Sequence, residues 1–314
     1  AFVPSLPFLI MALALLGASS GAMDISMNTQ GVAVEHLYGR PLLNSFHACY
    51  SLGSLGGALA GGLIAGWNIP LPAHFGGIAL AGAILAFGAI PALLPSFSDQ
   101  GASQKEGGTR VTFARPTRTT LALGLIAFCS LFGEGAMADW SALYLNSNLH
   151  SGAGLAPTGY AAFSIMMMVS RGVGDALTAR LGAGWMVRLG GLLAAWLPLA
   201  LLGFALIGSG LGVTFPLTLS AAGRLAGQGQ ATSTALAAVA TCGYTGLMAG
   251  PPTIGFVASL LGLRLALGLI VLLSLGISLM AGAADKPSIS PSPPAPHRPK
   301  AEAERTASEP PPGP

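Results

Sequence analysis

Apolar residues run along this chain in blocks long enough to cross a bilayer, separated by short charged or Pro-, Gly- and Asn-rich junctions. Between Pro41 and Ser98 there is no Lys, Arg, Asp or Glu at all. A bilayer core about 30 Å thick needs roughly 20 apolar residues per helix. Dividing the chain at its junctions predicts nine spans, near 6–30, 44–67, 73–95, 119–145, 157–178, 186–199, 200–221, 232–259 and 263–283. They are predicted as helices because lipid offers no partner to an unpaired backbone group and the period-two alternation of a membrane barrel is missing. The fold class is all-α, a polytopic membrane bundle.

Composition agrees: 8% of the residues are charged and 52% apolar, with a mean hydropathy of +0.68. The net charge of +3 calls for no nucleic-acid partner, since the basic residues are spread over loops rather than gathered in one patch. They do set an orientation. With these spans every Lys and Arg except Arg264 falls on one side, which the positive-inside rule makes cytoplasmic.

That orientation starts the first span outside, where Ala-Phe-Val-Pro carries neither an initiator Met nor a signal-peptide n-region. The expectation is a chain truncated at its N-terminus. Residues 1–95 then form the remainder of an N-terminal bundle of about three spans, 96–118 a polar cytoplasmic linker, and 119–284 a six-helix bundle. Arg188 and Arg224 lie on the same side, yet the residues between them reach only about 52 Å as helix, short of two crossings. A shortened span near 186–199 is expected, with its defect around Ala195–Pro198. Residues 285–314, rich in Pro and Ser, read as a disordered cytoplasmic tail. Cys49, Cys129 and Cys242 fall inside spans without metal-type spacing and are expected to be buried free thiols.

Ionisable groups inside spans cost roughly 2.5–3.5 kcal/mol to insert and are functional candidates for that reason. Asp24 shares a helix face with Gly17, Gly21, Asn28 and Gly31, which suits a cavity lining; a carboxylate satisfied by neighbouring helices would read the same way. Glu134 is the foremost candidate. It lies on a stripe with Ser130, Met137 and Ser141, and the glycines beside it permit a local helix break of the kind transporters use at binding sites. A carboxyl group at that depth suits the uptake and release of a proton. Asp139 and Trp140 form a second tier, readable equally as an interfacial helix end with an aromatic anchor. His47 opens the second span, with a structural hydrogen bond as its plainer reading, and Thr241 and Thr245 offer hydroxyls before the kink expected at Pro251 and Pro252. Gly53, Gly57 and Gly61 read as a helix-packing seam. Arg171, Asp175 and Arg180 form a charge network at a cytoplasmic helix end, suited to holding helices in one conformational state. No P-loop, no paired metal motif and no nucleophile with matching His and acid is present, so an enzyme, a cofactor and a bound metal are not expected.

Several short runs in order carry a family resemblance over about residues 1–283: Met23-Asp-Ile-Ser-Met-Asn28 with Val34-Glu35, Ser45-Phe-His47 with Tyr50-Ser-Leu-Gly53, Phe132-Gly-Glu134-Gly with Asp139-Trp140, Phe215-Pro216-Leu-Thr-Leu-Ser220, and Gly243-Tyr244 leading to Gly250-Pro-Pro252. The chain resembles the major facilitator superfamily, and within it uncharacterised bacterial inner-membrane members related to the fucose permease branch. The resemblance implies that the nine spans are equivalent to helices 4–12 of twelve. It makes Arg171–Arg180 similar to the second copy of the family's cytoplasmic gating motif, and implies two bundles that rock about a midplane site. It also implies a monomer that moves sugars, other small polar solutes or drugs, commonly with protons. Helices one to three would be missing, and helices nine and ten together about ten residues short.

The expected function is secondary active transport of a small solute in the bacterial inner membrane, coupled to protons with Glu134 as the carrier. The alternative is a non-transporting membrane remnant or interaction module. Substrate, direction and coupling ion are left open by polar stripes that suit many solutes.

Overall fold

A computed structural model describes residues 5–67, 69–94, 117–152, 155–194, 200–225 and 232–284. The expected linker, the tail and the Ala195–Pro198 region lie wholly or mostly outside these residues. The described residues form nine α-helices and no strand: α1 (Leu6–Tyr38), α2 (Leu43–Gly66), α3 (Leu71–Ala89), α4 (Arg118–Asn148), α5 (Thr158–Leu181), α6 (Ala183–Ala194), α7 (Ala200–Leu225), α8 (Thr232–Leu261) and α9 (Leu263–Met280). By length and composition five segments suit a bilayer crossing, namely Leu6–Tyr38, Pro72–Ala92, Arg118–Asn148, Leu201–Leu225 and Leu263–Ala283.

Two boundaries differ from the sequence expectation. The first helix continues to Tyr38, because nothing between Gly31 and Tyr38 breaks a helix until Gly39 takes a left-handed conformation at φ 63° and ends it. The short span starts earlier than expected, at Ala183, and its 12 described helical residues run to Ala194, where the described residues stop.

The core lies among α4 to α9. Leu123, Ile126, Phe163, Phe204, Leu211, Leu236 and Ile270 are all buried there. α4 and α8 share the most extensive contact. On α8 a Cβ at Gly246 would strike the Phe128 carbonyl, and one at Gly250 would lie 2.5 Å from the Phe132 carbonyl. Small residues let backbones approach, which is the source of helix affinity in a solvent as apolar as the side chains. Gly53 and Gly57, expected to form such a seam, meet no other residue within 4 Å of where a Cβ would sit. They lie on a face of α2 that no described helix covers. Gly61, the third member of that seam, lies outside the residues whose surroundings are described.

Hydroxyls are handled locally. Thr29, Ser51, Ser141, Thr214 and Thr218 each donate to the carbonyl four residues back, so a polar side chain needs no partner from lipid. Of the three free thiols only Cys129 is buried, whereas Cys49 and Cys242 are exposed. The expectation of three buried thiols is corrected to one, since membership of a span does not decide which face of the helix a residue takes.

α1 and α2 join the first three helices to the rest. α1 touches α7 and α8, and α2 touches α5 and α7. Gln30 Nε2 donates to the Leu94 carbonyl at 3.1 Å while its Oε1 accepts from Leu94 N–H at 3.1 Å, which pins the chain after α3 to α1.

Candidate functional site

Pro216, inside α7, has no N–H, so the Gly212 carbonyl one turn earlier is left without its helical donor. Arg171 takes that place: its Nε donates to Gly212 O at 3.1 Å, and Nη1 donates to Ser51 Oγ at 2.9 Å. Two neutral acceptors thus hold the guanidinium inside the protein. Its remaining end faces Glu134, with Nη2 3.7 Å from Oε2. That is an ion pair too long for a hydrogen bond.

This position corrects the expectation that Arg171 joins Asp175 and Arg180 in a charge network at the helix end. Side chains on a helix lean toward its N-terminus, and α5 starts on the side away from the basic loops. Arg171 therefore extends away from that end to line the cavities, while Asp175 stays at the helix end and Arg180 is exposed in the last turn.

Glu134 is held by an unbroken α4. The glycines beside it, expected to permit a break, serve packing instead: a Cβ at Gly133 would lie 2.6 Å from Leu211 Cδ1, and one at Gly135 2.6 Å from the Leu247 carbonyl. Leu247 O is itself a carbonyl deprived of its donor, by Pro251. The same carbonyl-freeing chemistry thus acts on both sides of Glu134.

Glu134, Arg171 and Tyr50 line two cavities at once. The larger, about 520 Å³, adds Asp24, His47, Phe215 and Tyr244. The smaller, about 460 Å³, adds Ser51, Ser54, Tyr160, Phe163 and Ser164. Asp24 is half-buried and accepts a hydrogen bond from Tyr244 Oη at 2.6 Å. Asn28 lies behind the wall: its Nδ2 donates to the Asp24 carbonyl at 2.9 Å, and its Oδ1 meets His47 Nε2 at 3.1 Å. With the amide nitrogen so committed, Nε2 carries the imidazole proton. Asn28 orients His47 and does not itself line either cavity.

The other expected residues lie elsewhere. Thr241 and Thr245 are exposed outside both cavities, and the Thr245 hydroxyl is used on the Thr241 carbonyl at 2.8 Å. Asp139 is exposed. Trp140 is half-buried and joins α4 to α8, with Nε1 donating to Pro251 O at 3.0 Å and its ring against Gly255.

A second polar cluster joins the helices at the basic end. α2 starts after Arg40-Pro-Leu without a capping Ser, Thr or Asp, and its first turn has no acid. Its first N–H groups are satisfied from outside. Glu35 Oε1 accepts from Leu42 N at 2.7 Å and Leu43 N at 2.9 Å, while Asp175 accepts from Asn44 N at 3.1 Å and Ser45 N at 2.7 Å. Asn44 Nδ2 adds a bond to Asp175 at 3.0 Å. Two carboxylates from two helices therefore sit at the positive end of α2, where the helix dipole favours them. Glu35 Oε2 also accepts from Ser220 Oγ at 2.6 Å, and Arg224 donates to that hydroxyl at 2.7 Å. Gly174 makes the approach possible, since a Cβ there would lie 2.9 Å from Asn44 Cγ.

Glu35, Ser220, Arg224 and Tyr244 are not candidates on sequence grounds. The signal for Glu35 is a helix start with no cap and one acid within reach upstream. Tyr244 has no comparable signal, because its partner Asp24 is 220 positions away.

No family model matches the chain. Individual relatives do. An uncharacterized transporter of Sinorhizobium fredii is 32% identical over 88% of this chain and 74% of its own length. The membrane protein MosC of Rhizobium meliloti is 30% identical over 85% of this chain and 66% of its own. An uncharacterized MFS-type transporter of Yersinia pestis is 34% identical over 87% of this chain and 72% of its own length. These matches cover most of a chain with a helical, multi-pass membrane architecture, and the first and third are with transporters, not enzymes. The chain belongs to the MFS-type transporters, the major facilitator superfamily.

Proposed function

We propose that this chain is a secondary active transporter of a small polar solute, coupled to protons. In this reading Glu134 carries the proton, and the cavity lined by Asp24, His47, Glu134 and Tyr244 receives the solute. The observation that supports it most is the loose Glu134–Arg171 pair standing between two cavities. A carboxylate that no described residue holds by a hydrogen bond is free to take a proton. When it does, Arg171 keeps Gly212 and Ser51 but loses its counter-charge, and the wall between the cavities is released.

The bundles would be residues 1–95 and 119–284, joined by 96–118 and rocking about this midplane site. Glu35 and Asp175 hold the basic end shut by clamping the start of α2. The positive-inside rule makes that end, and the tail 285–314, cytoplasmic, in a bacterial inner membrane. The motif order that resembles the fucose permease branch favours small polar solutes, moved by a monomer.

The test is solute accumulation in proteoliposomes under an imposed pH gradient, with wild type and Glu134→Gln side by side. The variant is expected to insert and to lose gradient-driven accumulation while solute exchange without a gradient persists. Undiminished gradient-driven accumulation would remove Glu134 as the carrier.

A further inference from the structure

We infer that the larger cavity takes an organic cation: a protonated amine or quaternary ammonium carried on an apolar body. This rests on the reading of that cavity as the solute site and names the solute's chemical class.

The charged groups around the cavity are not equally available. The Glu134 side chain is 29% exposed and that of Arg171 only 7%. Two of the arginine's donors are already committed, to Gly212 O and Ser51 Oγ. Asp24 is half-buried, and Tyr244 Oη is its side-chain donor. A ligand arriving from the cavity therefore meets carboxylate oxygens with vacant acceptor positions, and the guanidinium lies behind them.

The Tyr244 hydroxyl is given to Asp24 and the His47 Nε2 proton to Asn28, which leaves the hydroxyls of Ser20 and Tyr50 as neutral donors in the lining. Charge favours one ligand class. Asp24 and Glu134 outnumber Arg171, so an anion would have one guanidinium against two carboxylates, each at about 4 kcal/mol for a like charge 4 Å away under the effective dielectric of a protein surface. A cation is drawn by the carboxylate in excess.

The rest of the lining suits the body of such a ligand. Tyr50, Phe215 and Tyr244 present rings whose faces attract cations, and Met23, Met27 and Met248 add flexible, polarizable thioethers. Cation and proton then compete for the same carboxylates, so solute binding expels a proton. The titratable groups facing this exchange are Asp24 of α1, His47 and Tyr50 of α2, Glu134 of α4, Arg171 of α5 and Tyr244 of α8; α7 contributes the Phe215 ring alone.

The experiment compares two probes with one aromatic body and opposite charge, phenyltrimethylammonium and benzenesulfonate, by equilibrium binding to the full chain in lipid nanodiscs, with protein-free nanodiscs subtracted. The ammonium is expected to bind at least about tenfold more tightly than the sulfonate and to release protons into weakly buffered medium. Asp24→Asn and Glu134→Gln should each weaken ammonium binding by about tenfold. Sulfonate binding as tight as ammonium, or no ammonium binding by the wild type, overturns the inference without recourse to any variant. If the wild type binds no ammonium yet accumulates a neutral or anionic solute under a pH gradient and loses this in Glu134→Gln, the transporter reading stands and the cation does not. Ammonium binding with no gradient-driven transport of any solute means the reverse: the cation site stands and the transporter reading falls.

Discussion

Two polar clusters join α1 and α2 to the helices that follow, and they differ in how their acids are satisfied. At the basic end, Glu35 and Asp175 are filled by four backbone N–H groups, a hydroxyl and an amide. Around the larger cavity, Asp24 accepts from one hydroxyl and Glu134 faces one guanidinium beyond hydrogen-bond range. A saturated carboxylate holds structure, because any change of partner costs bonds already made. An unsaturated one in a cavity has capacity left for a proton or a ligand. Burial and bonding separate the clusters together: Glu35 and Asp175 are each 8% exposed and saturated, whereas Asp24 and Glu134 are half-buried and accept fewer bonds.

The contrast is at greatest risk in Asp175→Ala. This change leaves the N–H groups of Asn44 and Ser45 without their acceptor, and bonds to a charged group contribute about 1.5–3 kcal/mol each. A loss of up to about 3–6 kcal/mol from the closed basic end is expected. Cysteine labelling of the α2 start, at Asn44→Cys in the Asp175→Ala background against Asn44→Cys alone, should rise strongly. Equal labelling would show that Asp175 does not hold this end shut.

By contrast, Glu134→Gln should lower thermal stability far less than Asp175→Ala, by about 1 kcal/mol, since it removes a loose pair and leaves Arg171 its two other partners. A melting temperature that falls as far as that of Asp175→Ala would erase the distinction between the clusters.

Pro216→Ala probes the cavity side more finely. It returns a helical donor to Gly212 O, which then competes with Arg171 Nε for the same acceptor, at about 1 kcal/mol. The expected outcome is a modest shift in the pH dependence of transport with little change in melting, read from uptake at several pH values. The smallest effect is expected from Trp140→Phe, which loses one bond to Pro251 at about 0.5–1.5 kcal/mol and leaves transport unchanged. A transport defect there would place Trp140 in the solute path.

Much of the bundle is legible in the sequence. Lipid imposes helices on any long apolar segment, so the nine described helices follow from spacing alone. Asp24, His47 and Glu134 also follow, because an ionisable group in an apolar run stands out at its own position. What sequence does not supply is direction and partnership. Arg171 belongs to the cavity rather than the helix end because α5 points its side chains inward, and because Pro216, far along the chain, frees a carbonyl for it. Thr241 and Thr245 have the right chemistry on the wrong face.

Glu35 shows where the division falls. Its position in the sequence marks it as an acid near a helix end, and nothing more. That it closes the N-terminus of α2 together with Asp175 is a product of packing, since the two lie in helices that only the fold brings to one helix start. The membrane as solvent, the helices and the acids they carry are written in the chain itself, because each is a local response to hydropathy. Which acids are saturated and which stay open is settled in three dimensions, because a hydrogen bond depends on distance and direction between residues that no local pattern relates.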